Sequence, residues 1–580
     1  MDSLGPLFNT LAGIGLLLAI ARVFGFVSAG WRFRTRANQL QKLGKVGVSE
    51  CALGDIAPQL TAERQPMLPH NILLGHLLQA KHAADDLPPG AHSGYILHWM
   101  AMKLGQPDAY YFDPYPINNP MLVVLDPYLA NQVTSHSWTG AEKPPTLANW
   151  FEPISGRGGV NLFTQNGQEW KHDHNIFLPF FNNSNLDAAM PIIVEQLIIL
   201  GDTLRKKAQA GGDIFHLEPL ALSLMNDIIG RVVFNAELGN QTVGSHPLSE
   251  TMIRQLGLKF AINDVMDNLG QLNPLTKIST WNNGRILDNH VRDQINKRVV
   301  AFRSAKVQEE RDVFKSILDQ ALETYYSQPG RRQSDPVSEN FMKMLCSQLR
   351  MFFFAGYDST SAAMVACCYL IWKHPEVLAK LREEHDKVFG RNLAACADMI
   401  AENPAILNLL PYTTAVIKEA MRLFPPASGI RVGCADLVLK GQDGAEYPTE
   451  GFMVQMNHFS IHRNTNVWAR PREFLPERFL VGPGHELYPA KGAWRIFEYG
   501  TRNCTGQAFV MKELRAFVVL LAREFDFQEC YGEVFTSEKV DLTNVDYEKA
   551  YLVEAGSAHP RGKFPCRVSL SGYVSGESGI

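Results

Sequence analysis

From about Ser338 to Lys373 the chain carries apolar residues at three- and four-residue spacing, contains no proline, and stops at His374-Pro375. The pattern predicts a single helix of about 50 Å at ~1.5 Å per residue. A helix that long is unusual inside a globular body. Its middle reads Phe352-Phe353-Phe354-Ala355-Gly356-Tyr357-Asp358-Ser359-Thr360-Ser361. A glycine and several hydroxyls placed there work against helix propensity, and such a local conflict marks a functional or strained site.

The rest of the chain sorts around this segment. At 580 residues and 46% hydrophobic it must bury at least one large core. Length alone suggests three to four domains at roughly 150 residues each. No internal repeat stands out, and no linker is long enough to force a second domain. Short extended runs, Ala109 to Phe112 and Met121 to Leu125, are bounded by Pro or Asp as in a small β subdomain. Residues 160–425 are mostly helical in pattern, 427–485 return to short strands and Pro-rich loops, 505–525 are helical, and 527–570 read as strands and turns. The Ser/Gly-rich end from Ser571 to Ile580 reads as a mobile tail. The expected fold class is mainly α with small β-sheets.

Residues 6–29 are uncharged apart from Arg22, long enough for a tilted helix across a hydrocarbon core of ~30 Å. Arg32, Arg34, Arg36, Lys42 and Lys45 follow this run, and only Asp2 precedes it. That asymmetry predicts a single-pass anchor over 1–30 with the body on the cytoplasmic side, a connector over 31–60, and one domain over 61–580. A cleaved signal peptide is the rival reading, but no charged n-region precedes the apolar core. A buried core helix is the other. The net charge of −4, from 55 basic and 59 acidic side chains, argues against a nucleic-acid partner.

Nine cysteines are present, none in a C-x-x-C pair, so neither a disulfide framework nor a zinc ribbon is expected. One stands apart. Phe497-Glu498-Tyr499-Gly500-Thr501-Arg502-Asn503-Cys504-Thr505-Gly506 is a Gly-punctuated loop that leads into an apolar helical run. There Cys504 sits near backbone N–H groups and the positive end of a helix dipole, both of which stabilise a thiolate. Arg502 adds positive charge for an anionic group. Taken alone, the loop is open to three readings: a nucleophile, a metal ligand, or an ordinary buried thiol.

The segment resembles the haem-binding signature F-x-x-G-x-R-x-C-x-G of the cytochrome P450 family at Phe497, Gly500, Arg502, Cys504 and Gly506. Further matches stand in the family's order. Glu419 and Arg422 carry E-x-x-R, Pro476-Glu477-Arg478-Phe479 carries P-E-R-F, and Ala355-Gly356-Tyr357-Asp358 carries A-G-x-D. Trp170 with His174 resembles W-x-x-x-R, with His in place of Arg.

The resemblance implies a P450 fold around haem b, with Cys504 as the axial iron ligand, Phe497 shielding its sulfur, and Gly500 and Gly506 letting the backbone approach closely. Arg502 and Arg431 would meet the haem propionates, as would Trp170 and His174, with His172 a nearby rival for the latter. Glu419, Arg422 and Arg478 would form a structural network. Ala355 and Gly356 would open the long helix above the iron. Asp358 would relay protons with a hydroxyl, Ser359 by position or Thr360 next to it.

The implied reaction is insertion of one oxygen atom from O2 into a hydrophobic small molecule. Electrons would come from NADPH through a membrane-bound P450 reductase at the endoplasmic reticulum. The stretch from Met121 to Pro127 and the long ends are similar to family members of fungal secondary metabolism. Two alternatives are a reductase-independent isomerase or dehydratase acting on a peroxide, and a haem-binding protein without catalysis. Phe352 to Phe354 read as packing, with one ring able to line the substrate pocket, Cys367 and Cys368 as core, and His462, Arg463, Asn464 and Trp468 as residues that pin a loop.

Overall fold

The computed structural model describes residue 28 and residues 30–32, 34–35, 65–71, 73–115, 117–136, 140–260, 273–302, 314–536 and 540–572. The expected anchor and connector lie almost wholly outside them, as does the tail from 573. Among the described residues no helix is long and apolar enough to cross a membrane.

Six helices position the site: α1 (Gly167–Phe177), α2 (Met190–Gln209), α3 (Leu217–Phe234), α4 (Glu339–Lys373), α5 (Pro411–Leu423) and α6 (Gln507–Glu524). The architecture is mainly helical with small sheets, as the periodicity predicts. The long helix α4 begins where Ser338 caps the N–H of Phe341, and it ends before Pro375, which starts the next helix. From Met342 to Ile371 most of its side chains are buried, so it runs through the core.

The expected opening at Ala355-Gly356 is absent, and α4 stays helical across it. Two features explain this. Ser359 and Ser361 donate back to the carbonyls of Ala355 (2.9 Å) and Asp358 (2.8 Å). And the missing side chain of Gly356 makes room for α3, because a Cβ there would lie 2.6 Å from Ile229 Cδ1.

The largest sheet has four strands, β1 (Ala109–Phe112), β2 (Met121–Val124), β3 (Gly429–Val432) and β4 (Met453–Met456), in the order β1-β2-β4-β3. β2 pairs parallel with β4, and the outer pairings are antiparallel. Alternate residues of these strands fall into two separate apolar clusters, with Tyr111, Leu122 and Val454 on one side and Tyr110, Val123 and Met453 on the other. Burial on both faces explains the continuous apolar runs in the sequence.

The network of Glu419, Arg422 and Arg478 forms, with all three side chains 0% exposed. Glu419 takes two bonds from Arg422 (2.7 and 2.8 Å), one from Arg478 Nε (3.0 Å) and one from Leu475 N (3.0 Å). Arg422 also donates to the carbonyls of His462, Pro471 and Glu473, and Arg478 to those of Ala469 and Arg470. Both guanidiniums lie over Trp468. Three charges thus fasten α5 to the 462–478 loop. Removing one strands the others in a dry core, at a cost of about 3–5 kcal/mol. Glu419→Gln is therefore expected to lower the unfolding free energy by that amount in denaturant titration. A loss below about 1 kcal/mol would show that the network is not structural.

Candidate active site

The loop from Arg495 to Gly506 folds back on itself by backbone bonding. Cys504 N donates to Phe497 O (2.8 Å), and Glu498 N donates to Arg495 O (3.0 Å). Glu498 and Gly500 both adopt positive φ, 61° and 86°. At Gly500 a Cβ would stand 2.8 Å from Thr134 O, so only glycine fits. Gly506 differs from expectation: a Cβ there would make only an ordinary 3.7 Å contact with Cys504 Sγ, and its φ is not left-handed. Its role is to bring the start of α6 to the sulfur. Burial pushes the Cys504 thiol up, and the N–H groups of Gly506 and Gln507 pull it down again. The side chain lies deep in the molecule, yet it is exposed because it opens into a cavity.

That cavity has a volume of about 410 Å³, within the range of small-molecule sites. Its wall is largely apolar, from Phe151, Phe163, Phe181, Ile229, Val233, Phe352 and Phe354, so two of the three phenylalanines expected as packing line it. Ala355, Gly356 and Ser359 share the face of α4 turned toward it. Thr360 is 1% exposed and its hydroxyl has no partner. Thr360 lines the cavity as well, so both hydroxyls border it, and that of Ser359 is held by Ala355 O.

A group of cations lies at the same cavity: Arg502 and Lys143 line it, and Arg431 sits behind them, close enough to act on both. Arg431 is fully buried on β3, bonds only Ile430 O through Nη1 (2.9 Å), and leaves Nε and Nη2 without partners. Arg502 lies 4.4 Å over the Trp170 ring and donates to the carbonyls of Leu162 (3.2 Å) and Gln165 (2.9 Å), so part of its fork is occupied by backbone. His174 stacks on the other indole contact at 4.6 Å and faces the cavity, whereas His172 is exposed and outside it. Lys143, which the sequence did not single out, is also buried here, 4.6 Å over Phe163. Burial, then Arg431 and Arg502, hold its ammonium well below the usual lysine range. Burial and Arg431 bring Arg502 down to about 10. Glu498 balances this charge. Burial opposes its ionisation, but His458, Arg495 and Arg431 hold it well below the carboxylate range. Glu513 is a second unforeseen acid, on α6. Its oxygens have no partners, and burial pushes it well above the usual range, so it is neutral.

Asp358 points to the C-terminal hairpin (Leu552–Glu554 and Ala558–Pro560). Its Oδ2 accepts from Ser557 N (2.7 Å), and its Oδ1 lies 3.4 Å from His559 Nε2. His559 Nδ1 lies 3.3 Å from Glu218 on α3, and Ser557 Oγ is 3.1 Å from Nε2. One imidazole therefore stands between two carboxylates, all three side chains at most 6% exposed. Burial lowers His559, but Asp358 and Glu218 more than offset it and raise it to about 10. Sequence reasoning missed His559 because nothing near it marks the residue; only the fold brings it to Asp358.

Two outcomes follow. Gly500→Ala is expected to destabilise by about 1–3 kcal/mol, whereas Gly506→Ala is tolerated, both read in denaturant melts. The raised His559 contributes stability that is fully present below about 6.5 and lost as pH rises toward 10. Between those values wild type should lose more thermal stability than the charge-balanced pair His559→Gln/Glu218→Gln. Parallel curves would show that the imidazole carries no charge.

Comparison with known proteins agrees with this geometry. The family model for cytochrome P450 matches residues 69–542. The chain is 35% identical to cytochrome P450 monooxygenase polC of Polytolypa hystricis, over 88% of this chain and 90% of that one. It is 31% identical to cytochrome P450 monooxygenase acrF of Aspergillus aculeatus, over 84% and 98%. A mammalian relative, cytochrome P450 3A29 of Sus scrofa, is 25% identical over 72% and 78%. The family's cofactor is a haem, and the residues fit it: a thiol opens into an apolar cavity beside a buried guanidinium with two unpartnered donor atoms. The chain belongs to the cytochrome P450 family.

Proposed function

We propose that this cytochrome P450 monooxygenase oxidises a hydrophobic small molecule in secondary-metabolite biosynthesis, at the endoplasmic-reticulum membrane, with electrons from NADPH through a P450 reductase. The observation that carries the reading is Cys504, whose thiol opens into an apolar cavity beneath the Ala355, Gly356 and Ser359 face of α4. Two fungal relatives named as monooxygenases support the metabolic setting. The uncharged run over 6–29, followed by arginines, supports a single-pass anchor with the domain over 61–580 on the cytoplasmic side.

When bound, the haem supplies the activation of dioxygen and transfer of one oxygen atom to the substrate, with a thiolate ligand that favours O–O cleavage. The protein's own groups do the rest. Cys504 would hold the iron, and the N–H groups of Gly506 and Gln507 favour its thiolate against the burial that raises the thiol. Phe497, buried beside Trp494, keeps water from the sulfur. Arg502 and Lys143, with Trp170 and His174, line the cavity and would present positive charge and donors to the propionates, and Arg431 behind them has two donor atoms with no partner among the described residues. The aromatic wall excludes water and orients an apolar substrate. Asp358, held by Ser557 N–H and His559, borders the cavity together with the hydroxyls of Ser359 and Thr360, and either hydroxyl would carry a proton toward the cavity side.

The decisive measurement is the absorption of the dithionite-reduced protein under carbon monoxide. Wild type is expected to show the strongly red-shifted Soret band of thiolate ligation, and Cys504→Ser to lose it. A band retained in the variant would overturn the ligand assignment. Product formation that needs NADPH and reductase separates the monooxygenase from a peroxide isomerase, which turns over without them.

A further inference from the structure

The helix Pro127–Ser135 ends on His136, and the turn after β3 carries Cys434 and Asp436. Cys434 Sγ lies 3.7 Å from His136 Nε2, and Asp436 Oδ2 lies 3.5 Å from the same nitrogen. All three donor atoms fall within 4.8 Å of one another. A tetrahedral zinc ion, with bonds of ~2.3 Å to sulfur and ~2.0–2.1 Å to nitrogen or oxygen, spaces its donors about 3.4–3.6 Å apart. The two edges from His136 lie close to that span, and the third is no longer than 4.8 Å.

The frame that holds these donors is braced. Cys434 N donates to Thr449 Oγ1 (3.1 Å), Thr449 Oγ1 donates to Leu437 O (2.6 Å), and Leu437 N returns to Cys434 O (3.1 Å). This closes a turn that leaves the side chains of Cys434 and Asp436 facing His136. Gly433 passes so close to Thr449 that a Cβ would meet its carbonyl oxygen at 1.9 Å, which fixes the approach. The local field is negative. Burial, then Asp436, with Glu142 adding to it, raise the Cys434 thiol to about 11. Among the described residues no lysine or arginine forms an ion pair with Asp436.

We propose that His136, Cys434 and Asp436 bind one zinc ion, with water in the fourth position. The mixture of thiolate, imidazole and carboxylate favours zinc over magnesium or calcium, which take oxygen donors. Binding exchanges the thiol proton for a Zn–S bond, the proton leaves to solvent, and nothing is oxidised or reduced. The ion ties together two segments that carry parts of the cofactor basin. Val432 N donates to Glu142 O (2.7 Å) beside the site, Lys143 follows Glu142, and Arg431 precedes Val432. Zinc is therefore a structural brace for the basin, independent of the reaction performed there.

The test uses the full-length holoenzyme, stripped with chelator and dialysed against zinc in small excess. Metal analysis is expected to give one zinc per chain, with one sulfur neighbour at ~2.3 Å in zinc-edge X-ray absorption. Cys434→Ser should remove that sulfur and His136→Gln should abolish retention. Asp436→Asn, at a side chain 78% exposed, keeps the fold and should weaken binding by about tenfold or more. The reduced carbon monoxide spectrum of each variant reports an intact haem site. Absence of stoichiometric zinc, or zinc unchanged in all three variants, would overturn the proposal.

Discussion

A carboxylate with no exposed surface fixes the geometry on which everything else rests. Glu419 receives two guanidiniums and a backbone N–H, and those guanidiniums reach the carbonyls of five residues between His462 and Glu473. From there the order passes on. His462 Nε2 accepts from Arg495 N (3.1 Å), Trp494 Nε1 donates to Lys418 O on α5 (3.0 Å), and Arg495 grips Glu498. Glu498 in turn faces His458 and the guanidinium of Arg431. Burial keeps His462 neutral, as an acceptor must be. The thiol loop is thus held by its own Arg495–Glu498 pair and, at one remove, by the charges of Glu419, Arg422 and Arg478.

The cavity is built by opposites. Its wall is aromatic and aliphatic, while one part carries Arg502 and Lys143 with Arg431 close behind, at a density water would ordinarily dilute. Burial raises the electrostatic cost of each cation and the worth of any anion that meets them. A ligand with an apolar body and acidic edges matches both requirements, and a haem has that shape of chemistry.

Much of this was legible in the chain. The long helix was readable because its period persists for 35 residues and both of its ends carry stop signals. Cys504, Arg502, Glu419, Arg422 and Arg478 were readable because loop chemistry and ordered motifs keep their spacing in sequence. Two local readings failed for tertiary reasons. Gly356 serves the packing of Ile229 rather than a break in the helix, and a Cβ at Gly506 would meet no protein atom closer than Cys504 Sγ. Lys143, Glu513 and His559 were invisible because nothing adjacent to them signals a site; distant elements give them their surroundings. Ser359 and Thr360 stay level because both border the cavity, one bonded to Ala355 O and the other with no partner among the described residues.

The hairpin that receives Asp358 bears on how the molecule comes into being. Ser557 and His559 stand about two hundred positions beyond the acid they hold. Asp358 and Glu218 therefore share their imidazole only once the hairpin has docked on α3 and α4. A chain with that hairpin detached leaves both acids without their cation, so docking of the hairpin and closure of the core around the central helix belong to one event.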